Sequence, residues 1–256
     1  MNIHRLCAAL LGAALLTSCD KNAVQDIAGP APGARVKFYN FGVNAPGVNF
    51  YANANKMTAI SSTTGIESTN GTVYGSVGNG GFYSAVVPGD YTLTGKIAAT
   101  TDKDLTIASV TSTLADGKFY SFYASGFYNT TTKTVDGFVV EDPFGATIDY
   151  AFAYVRFVHA ISNAAPLTLY AKNTTSLAEG PVGAEIAYKS AAAFIPMAGG
   201  VYDLGARFAG VATNAVSRTA VSFVAGRVYT VSARGDITVV STTATNRPIM
   251  DNTANR

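Results

Sequence analysis

This chain is short of the residues on which most enzyme and metal chemistry depends: its 256 residues include 2 cysteines and 2 histidines. One of each, Cys7 and His4, falls in an N-terminal segment read below as a discarded leader. The remaining histidine, His159, cannot build a multi-histidine metal site, and no Gly-x-Ser-x-Gly motif accompanies it to supply a nucleophile. Charge is also scarce, at 13% of residues, with a net +2 that includes Arg5. With neither a basic face nor an acidic tract, the sequence excludes nucleic acid as a partner and an acidic disordered tail. Glu, Lys and Leu, which favour long helices, are few, and no run of helical period competes. Past the leader, no apolar stretch is long enough to span a bilayer.

What is present suits strands and turns: 48% apolar residues, with 25 Gly, 14 Tyr and 14 Phe. That is enough apolar mass to bury a core, and the length suits two domains of roughly 100 residues each.

Met1 to Arg5 is short and positive, Leu6 to Leu16 is apolar, and small residues follow. This is the layout of a secretory leader. Its end, Leu16-Thr17-Ser18-Cys19, resembles the lipobox of bacterial lipoproteins at all four positions. The resemblance implies a diacylglyceryl group on the Cys19 sulfur and cleavage just before it, so residues 1–18 are the signal peptide. The mature chain then keeps no cysteine for a disulfide, a thiolate metal site or a nucleophile. Each buried methylene adds about 0.8 kcal/mol, so two or three acyl chains hold the protein to a membrane effectively permanently. The expected address is the cell envelope. Asp20 is a retention signal for the inner membrane in enteric bacteria, but other phyla sort differently; the outer membrane is favoured, with its facing side open.

Residues 19–34, with Gly29-Pro30-Ala31-Pro32-Gly33, read as the lipidated cysteine and a flexible tether. Beyond them the chain repeats itself. Val36-Lys37-Phe38-Tyr39-Asn40 and Val48-Asn49-Phe50-Tyr51-Ala52 return as Val155-Arg156-Phe157-Val158-His159 and Leu167-Thr168-Leu169-Tyr170-Ala171. Gly117-Lys118-Phe119-Tyr120-Ser121-Phe122 answers in the same order to Gly226-Arg227-Val228-Tyr229-Thr230-Val231. Each copy holds short runs rich in Val, Ile, Thr, Tyr and Phe between turn signals such as Asp116-Gly117 and Ala225-Gly226. The expected fold is all-β, with two tandem immunoglobulin-like antiparallel β-sandwich domains over residues 35–145 and 146–243 and a frayed tail at 244–256. Both copies carry the spacing apolar-x-x-Gly-x-x-Tyr of a tyrosine corner, which assigns Tyr120 and Tyr229 a structural role.

The openings Val36 to Tyr51 and Val155 to Tyr170 resemble the start of the bacterial domain of unknown function 4397, roughly Val-Arg-Val-Val-His-Ala-Ser-Pro-Asp-Ala-Pro-x-Val-Asp-Val-Tyr. Asn44-Ala45-Pro46-Gly47-Val48-Asn49-Phe50-Tyr51 carries it in the first copy, and Val155-Arg156-Phe157-Val158-His159-Ala160 with Leu169-Tyr170 in the second. The family's Ser-Pro is Gly42-Val43 here and Ile161-Ser162 in the second copy; its Asp is Asn49 or Thr168. The resemblance implies an exported or lipid-anchored envelope protein and carries no catalytic residue to transfer.

Strand alternation with Arg156 toward solvent turns Val155, Phe157 and His159 inward, where His159 and its counterpart Asn40 share one ability, bonding a nearby loop's backbone. Glu67, Glu141, Asp142, Glu179 and Glu185 are the carboxylates an envelope glycan hydrolase would need, but they fall in or beside turns with no linking motif and read as solvated loop acids. Asp102-Lys103-Asp104 offers too few oxygens for calcium. Gly75 to Gly81 lacks a phosphate loop's lysine and helix, and its Asn79-Gly80 reads as a hairpin. No cofactor and no metal are expected. The candidate ligand contacts are aromatic: Phe119 and Tyr123, which alternate outward if Tyr120 and Phe122 are core, and Tyr51 and Tyr170. The same rings also suit a contact between the two domains. The sequence therefore points to a non-catalytic binding or structural module with a glycan or envelope protein as partner, the hydrolase being the competing class.

Overall fold

The computed structural model describes residues 32–58, 64–145 and 147–256, so the leader, Cys19 and most of the tether lie outside the described residues. The first sandwich consists of β1 (Ala34–Val43), β2 (Val48–Ala52), β3 (Asn55–Lys56), β4 (Ser76–Val77), β5 (Ser84–Val86), β6 (Gly89–Ile97), β7 (Thr106–Leu114), β8 (Phe119–Asn129) and β9 (Thr134–Glu141). The second consists of β10 (Phe152–Ala160), β11 (Leu167–Asn173), β12 (Glu179–Pro181), β13 (Ser190–Ala191), β14 (Ile195–Ala198), β15 (Gly200–Phe208), β16 (Val216–Phe223), β17 (Val228–Arg234) and β18 (Ile249–Ala254). The two strand orders correspond: β4-β1-β8-β9 with β13-β10-β17-β18, and β3-β2-β6-β7 with β12-β11-β15-β16. The fold is all-β, and among the described residues no helix is long and apolar enough to cross a membrane.

Alternation within each strand builds the cores. Val36 and Phe38 of β1 meet Phe50 of β2, Leu93 of β6 and Phe122 of β8, while Val155, Phe157, Leu169, Leu204 and Val231 do the same in the second sandwich. The turns at Asp116-Gly117 and Ala225-Gly226 place glycine at φ +67° and +79°, a conformation that other residues adopt only with strain.

Three expectations need correction. The sandwiches are not wholly antiparallel, because β1 runs parallel to β8 and β10 parallel to β17. The tail is not frayed: β18 pairs with β17 along its length and buries Met250 in the second core. Its apolar content is low, but the backbone bonds of a full antiparallel strand hold it. Finally, Gly75 to Gly81 is not a hairpin. β4 and β5 do not pair with each other but both pair with β1, so residues 78–83 arch over a broken edge strand. The second sandwich breaks its edge at the same place, between β13 and β14 on β10, with residues 192–194 alone.

Residues 33–256 form one compact unit. The reason is that β1, β8, β10 and β17 are buried on both faces. The inner sheet of each sandwich covers that of the other, and Tyr39, Phe41, Tyr123, Phe138, Val158 and Ala160 form a third apolar cluster between them.

Candidate functional site

Among the described residues, the seam between the sandwiches gathers many of the buried polar side chains, including Lys37, Ser121, Ser125, Asp142, Arg156, Thr230 and Ser232. Its centre is a ladder of rings on adjacent strands. Tyr39 stacks on Tyr123 at 4.4 Å, and Tyr123 on Phe138 at 4.8 Å. The register aligns all three. Tyr123, outward from its own sandwich and suited there to a ligand or to a contact between the domains, is fully buried in that contact, with its hydroxyl 3.4 Å from Ser232 Oγ of the opposing sheet. Its face is outward from its own sandwich, as alternation requires; the second sandwich is what covers it. Burial pushes its phenol up to about 12. Ser125 Oγ donates to Ala160 O at 2.9 Å, a second bond across the seam.

Beside the rings lies a buried ion pair. Arg156, expected in solvent, and Asp142, expected in a solvated loop, are both fully buried and bonded to each other. Arg156 also donates to Glu141 O at 2.8 Å and Thr230 Oγ1 at 3.0 Å, and its guanidinium lies over Phe194. Asp142 accepts further bonds from Ser121 Oγ at 2.8 Å and Tyr83 Oη at 2.5 Å. Such a pair is tolerated at full burial because each guanidinium nitrogen donates a hydrogen bond and both carboxylate oxygens accept at least one. Burial, with the neighbouring carboxylate, raises the Tyr83 phenol far above its ordinary value.

Lys37 of β1 occupies the place that Arg156 occupies in β10. It too is fully buried and crosses the seam, donating to Ala254 O at 2.8 Å and approaching Asn255 Oδ1 at 3.5 Å. Glu141 and Ala254 are matched positions, each paired with its sandwich's corner tyrosine, Tyr120 or Tyr229, so Asp142 and Asn255 correspond. Each cation therefore reaches the end of the other sandwich's last strand, one meeting a carboxylate and the other a neutral amide. Lys37 lies 4.3 Å from the Tyr83 ring, and burial lowers its ammonium to about 8.

The other candidates are placed as follows. Phe119 is half-buried at the rim, packed between Tyr83 at 5.0 Å and Phe144 at 4.6 Å. Tyr51, on the outer sheet, is 9% exposed beneath Lys96 at 4.5 Å and Lys56 at 5.6 Å. Tyr170 is half-buried under Arg207 at 4.3 Å. The structure thus brings Phe119 and Tyr123 to one seam and leaves Tyr51 and Tyr170 on separate outer sheets. Tyr120 Oη accepts from Ala115 N–H, and Tyr229 Oη from Val224 N–H, each at 3.1 Å. His159 accepts from Ile161 N–H at 3.2 Å through Nδ1, which leaves Nε2 to donate to Ala165 O at 3.1 Å. Burial lowers its pKa, so the ring stays neutral.

The carboxylates do not converge as a free pair. Glu67 is bonded to Lys56, Glu141 to Lys118 and Glu179 to Arg207, while Glu185 is exposed elsewhere. Glu141 and Asp142 do line one concavity with Asp116, but the Asp142 carboxylate is sealed by Arg156 and Asp116 accepts from Gly33 N–H. Sequence reasoning missed Lys37, Tyr83 and Phe144; the repeated Lys37/Arg156 position at the centre of an otherwise apolar strand was the available signal.

Residues 153–256 match a domain of unknown function, DUF4397; the first sandwich lies outside that match. No curated protein matches the chain.

Proposed function

We propose that the chain is a lipid-anchored protein of the cell envelope, with two tandem copies of the domain of unknown function 4397 acting as one rigid, non-catalytic binding or structural module. The single observation that carries this reading is the seam. The fully buried Arg156–Asp142 pair and the Tyr39–Tyr123–Phe138 ladder tie the inner sheets together, as in a permanent interface and unlike a hinge between mobile domains. A body of this kind, tethered through Cys19, holds its loops at a fixed distance and orientation from a membrane. The carboxylates and the histidine that hydrolysis would recruit are spent on structural bonds or solvated singly.

The anchor is tested by expressing the chain and its Cys19→Ser variant in a Gram-negative host, then comparing detergent extraction and intact mass. The wild type is expected in the membrane fraction with acyl mass added at Cys19, and the variant uncleaved or soluble. Identical mass and extraction for the two would overturn the lipoprotein reading.

A further inference from the structure

Among the described residues, three lysine and arginine side chains are buried, and two of them have a carboxylate where they lie: Arg156 is bonded to Asp142 and Arg234 to Asp251. Lys37, 0% exposed, is the exception and makes no ion pair among the described residues. Its nitrogen meets Ala254 O at 2.8 Å and the Asn255 carboxamide at 3.5 Å. A buried ammonium without a counter-charge is destabilising, and an amide carries no charge to offset it. What an amide offers an amine is a carbonyl carbon. At the matched end of the seam the guanidinium of Arg156 and the carboxylate of Asp142 form an ion pair and nothing more, whereas an amine and a carboxamide have a covalent product.

The two groups are held for that product. Lys37 Nζ is fixed beside the carboxamide by its bond to Ala254 O, and the Asn255 backbone N–H donates to Val228 O at 2.7 Å. Asn255 Nδ2 donates to Thr230 Oγ1 at 2.9 Å, which turns the amide oxygen toward the amine. The Tyr83 ring lies 4.3 Å from Nζ, and desolvation favours the neutral, nucleophilic form of the amine. Groups held together in this way react without the cost of an encounter.

We infer that Lys37 and Asn255 condense to an intramolecular isopeptide bond, a covalent tie between β1 of the first sandwich and the residue that follows β18 of the second. Neutral Nζ adds to Asn255 Cγ and forms the new C–N bond, and the bond from Cγ to Nδ2 breaks. One proton passes from Nζ to Nδ2, delivered through the Thr230 hydroxyl beside it, and ammonia leaves. The Thr230 oxygen also accepts from Arg156 Nε at 3.0 Å, which makes its proton easier to give. No oxidant or cofactor is consumed. The product exchanges a buried ammonium for a neutral amide, and it closes the seam covalently in a body, residues 33–256, that contains no cysteine for a disulfide. Once linked, the nitrogen no longer titrates, so any effect of the Lys37 ammonium on stability belongs to the unlinked chain. The inference rests on the fold and goes beyond the lipid anchor, whose test it does not share.

The test is tryptic peptide mapping by mass spectrometry of the detergent-solubilised full chain, sampled while it is held folded at pH 9. The expected species is a branched peptide in which residues 36–56 are joined through Lys37 to the peptide carrying Asn255, lighter than the two together by one ammonia. Its formation should be faster at pH 9 than at pH 6 by up to about a hundredfold, the ratio of neutral amine for a pKa of about 8. Lys37→Met and Asn255→Ala should each abolish the branched species, with circular dichroism showing the fold retained. Separate peptides with cleavage after Lys37, from a wild-type chain that circular dichroism shows to be folded, would overturn the assignment whatever the variants do. A branched species that survives either substitution would overturn it as well.

Discussion

Asn40 and His159 occupy matched positions in β1 and β10 and make the same two hydrogen bonds with different chemistry. Each accepts from the N–H two residues on, Gly42 or Ile161, and each donates to the carbonyl six residues on, Pro46 or Ala165. The loop after the strand is thereby pinned in both sandwiches. His159→Asn should therefore cost little, within about 1 kcal/mol, whereas His159→Ala leaves the buried Ile161 N–H unsatisfied and unpins the Ala165 carbonyl, and should cost roughly 1–3 kcal/mol. The substitution also carries a pH signature. Burial holds the His159 pKa below its unfolded value of 6.5, so as pH falls through that value the unfolded chain gains a proton that the folded chain refuses, and stability falls. Urea unfolding at pH 7 and pH 5 should show a smaller loss for His159→Asn than for the wild type; equal losses would remove histidine from the account.

The ring ladder predicts a large effect for a residue far from any turn. Tyr123→Ala removes the middle ring and its contact with Ser232, and should destabilise the chain by about 3–5 kcal/mol, measured by the shift of the urea midpoint. A surface tyrosine would cost no more than about 0.5 kcal/mol.

The ion pair predicts an asymmetry between single and double replacement. Asp142→Asn leaves the Arg156 guanidinium buried without its carboxylate and should cost about 3–5 kcal/mol. Replacing both, with Asp142→Leu and Arg156→Met, should cost less than the single change, because no uncompensated charge remains. A double variant weaker than the sum of the singles would contradict the pairing.

Much of this body was legible in the sequence, and the part that was not has one physical cause. Period-two alternation sorts Val36, Phe38, Phe50 and Phe122 inward, because a sandwich core demands it locally. The same alternation correctly turned Tyr123 and Arg156 away from their own cores, but a face away from one core is solvent only if nothing else covers it. The covering surface here is the other sandwich, more than a hundred residues distant for Tyr123 and Ser232, and no local pattern reports it. Asp142 was obscured in the same way: its turn position reads as solvated until Arg156 is brought against it. β18 was missed for the opposite reason, since three of its six residues, Asp251, Asn252 and Thr253, carry polar side chains on a strand held by backbone bonds to β17.

Stability at alkaline pH should rise and then fall. Burial draws Lys37 down to about 8 from 10.5, so between those values the unfolded chain holds a proton that the folded chain has released, and stability grows as pH rises. Tyr39, Tyr83 and Tyr123 are shifted the other way, first by burial. Above about pH 10 the unfolded chain loses phenolic protons that the folded chain keeps, and stability drops. Urea midpoints at pH 7, 8.5, 10 and 11 should pass through a maximum near pH 10. Lys37→Met should abolish the rise and leave the fall.

The central claim is that the seam makes one body of the two sandwiches, and native-state hydrogen exchange resolved by peptide tests it most directly. Core peptides from β2 and β6 and from β11 and β15 should open together, with the same denaturant dependence and the same free energy, in the wild type. Opening of one sandwich's core at a lower denaturant concentration, while the other remains protected, would contradict it.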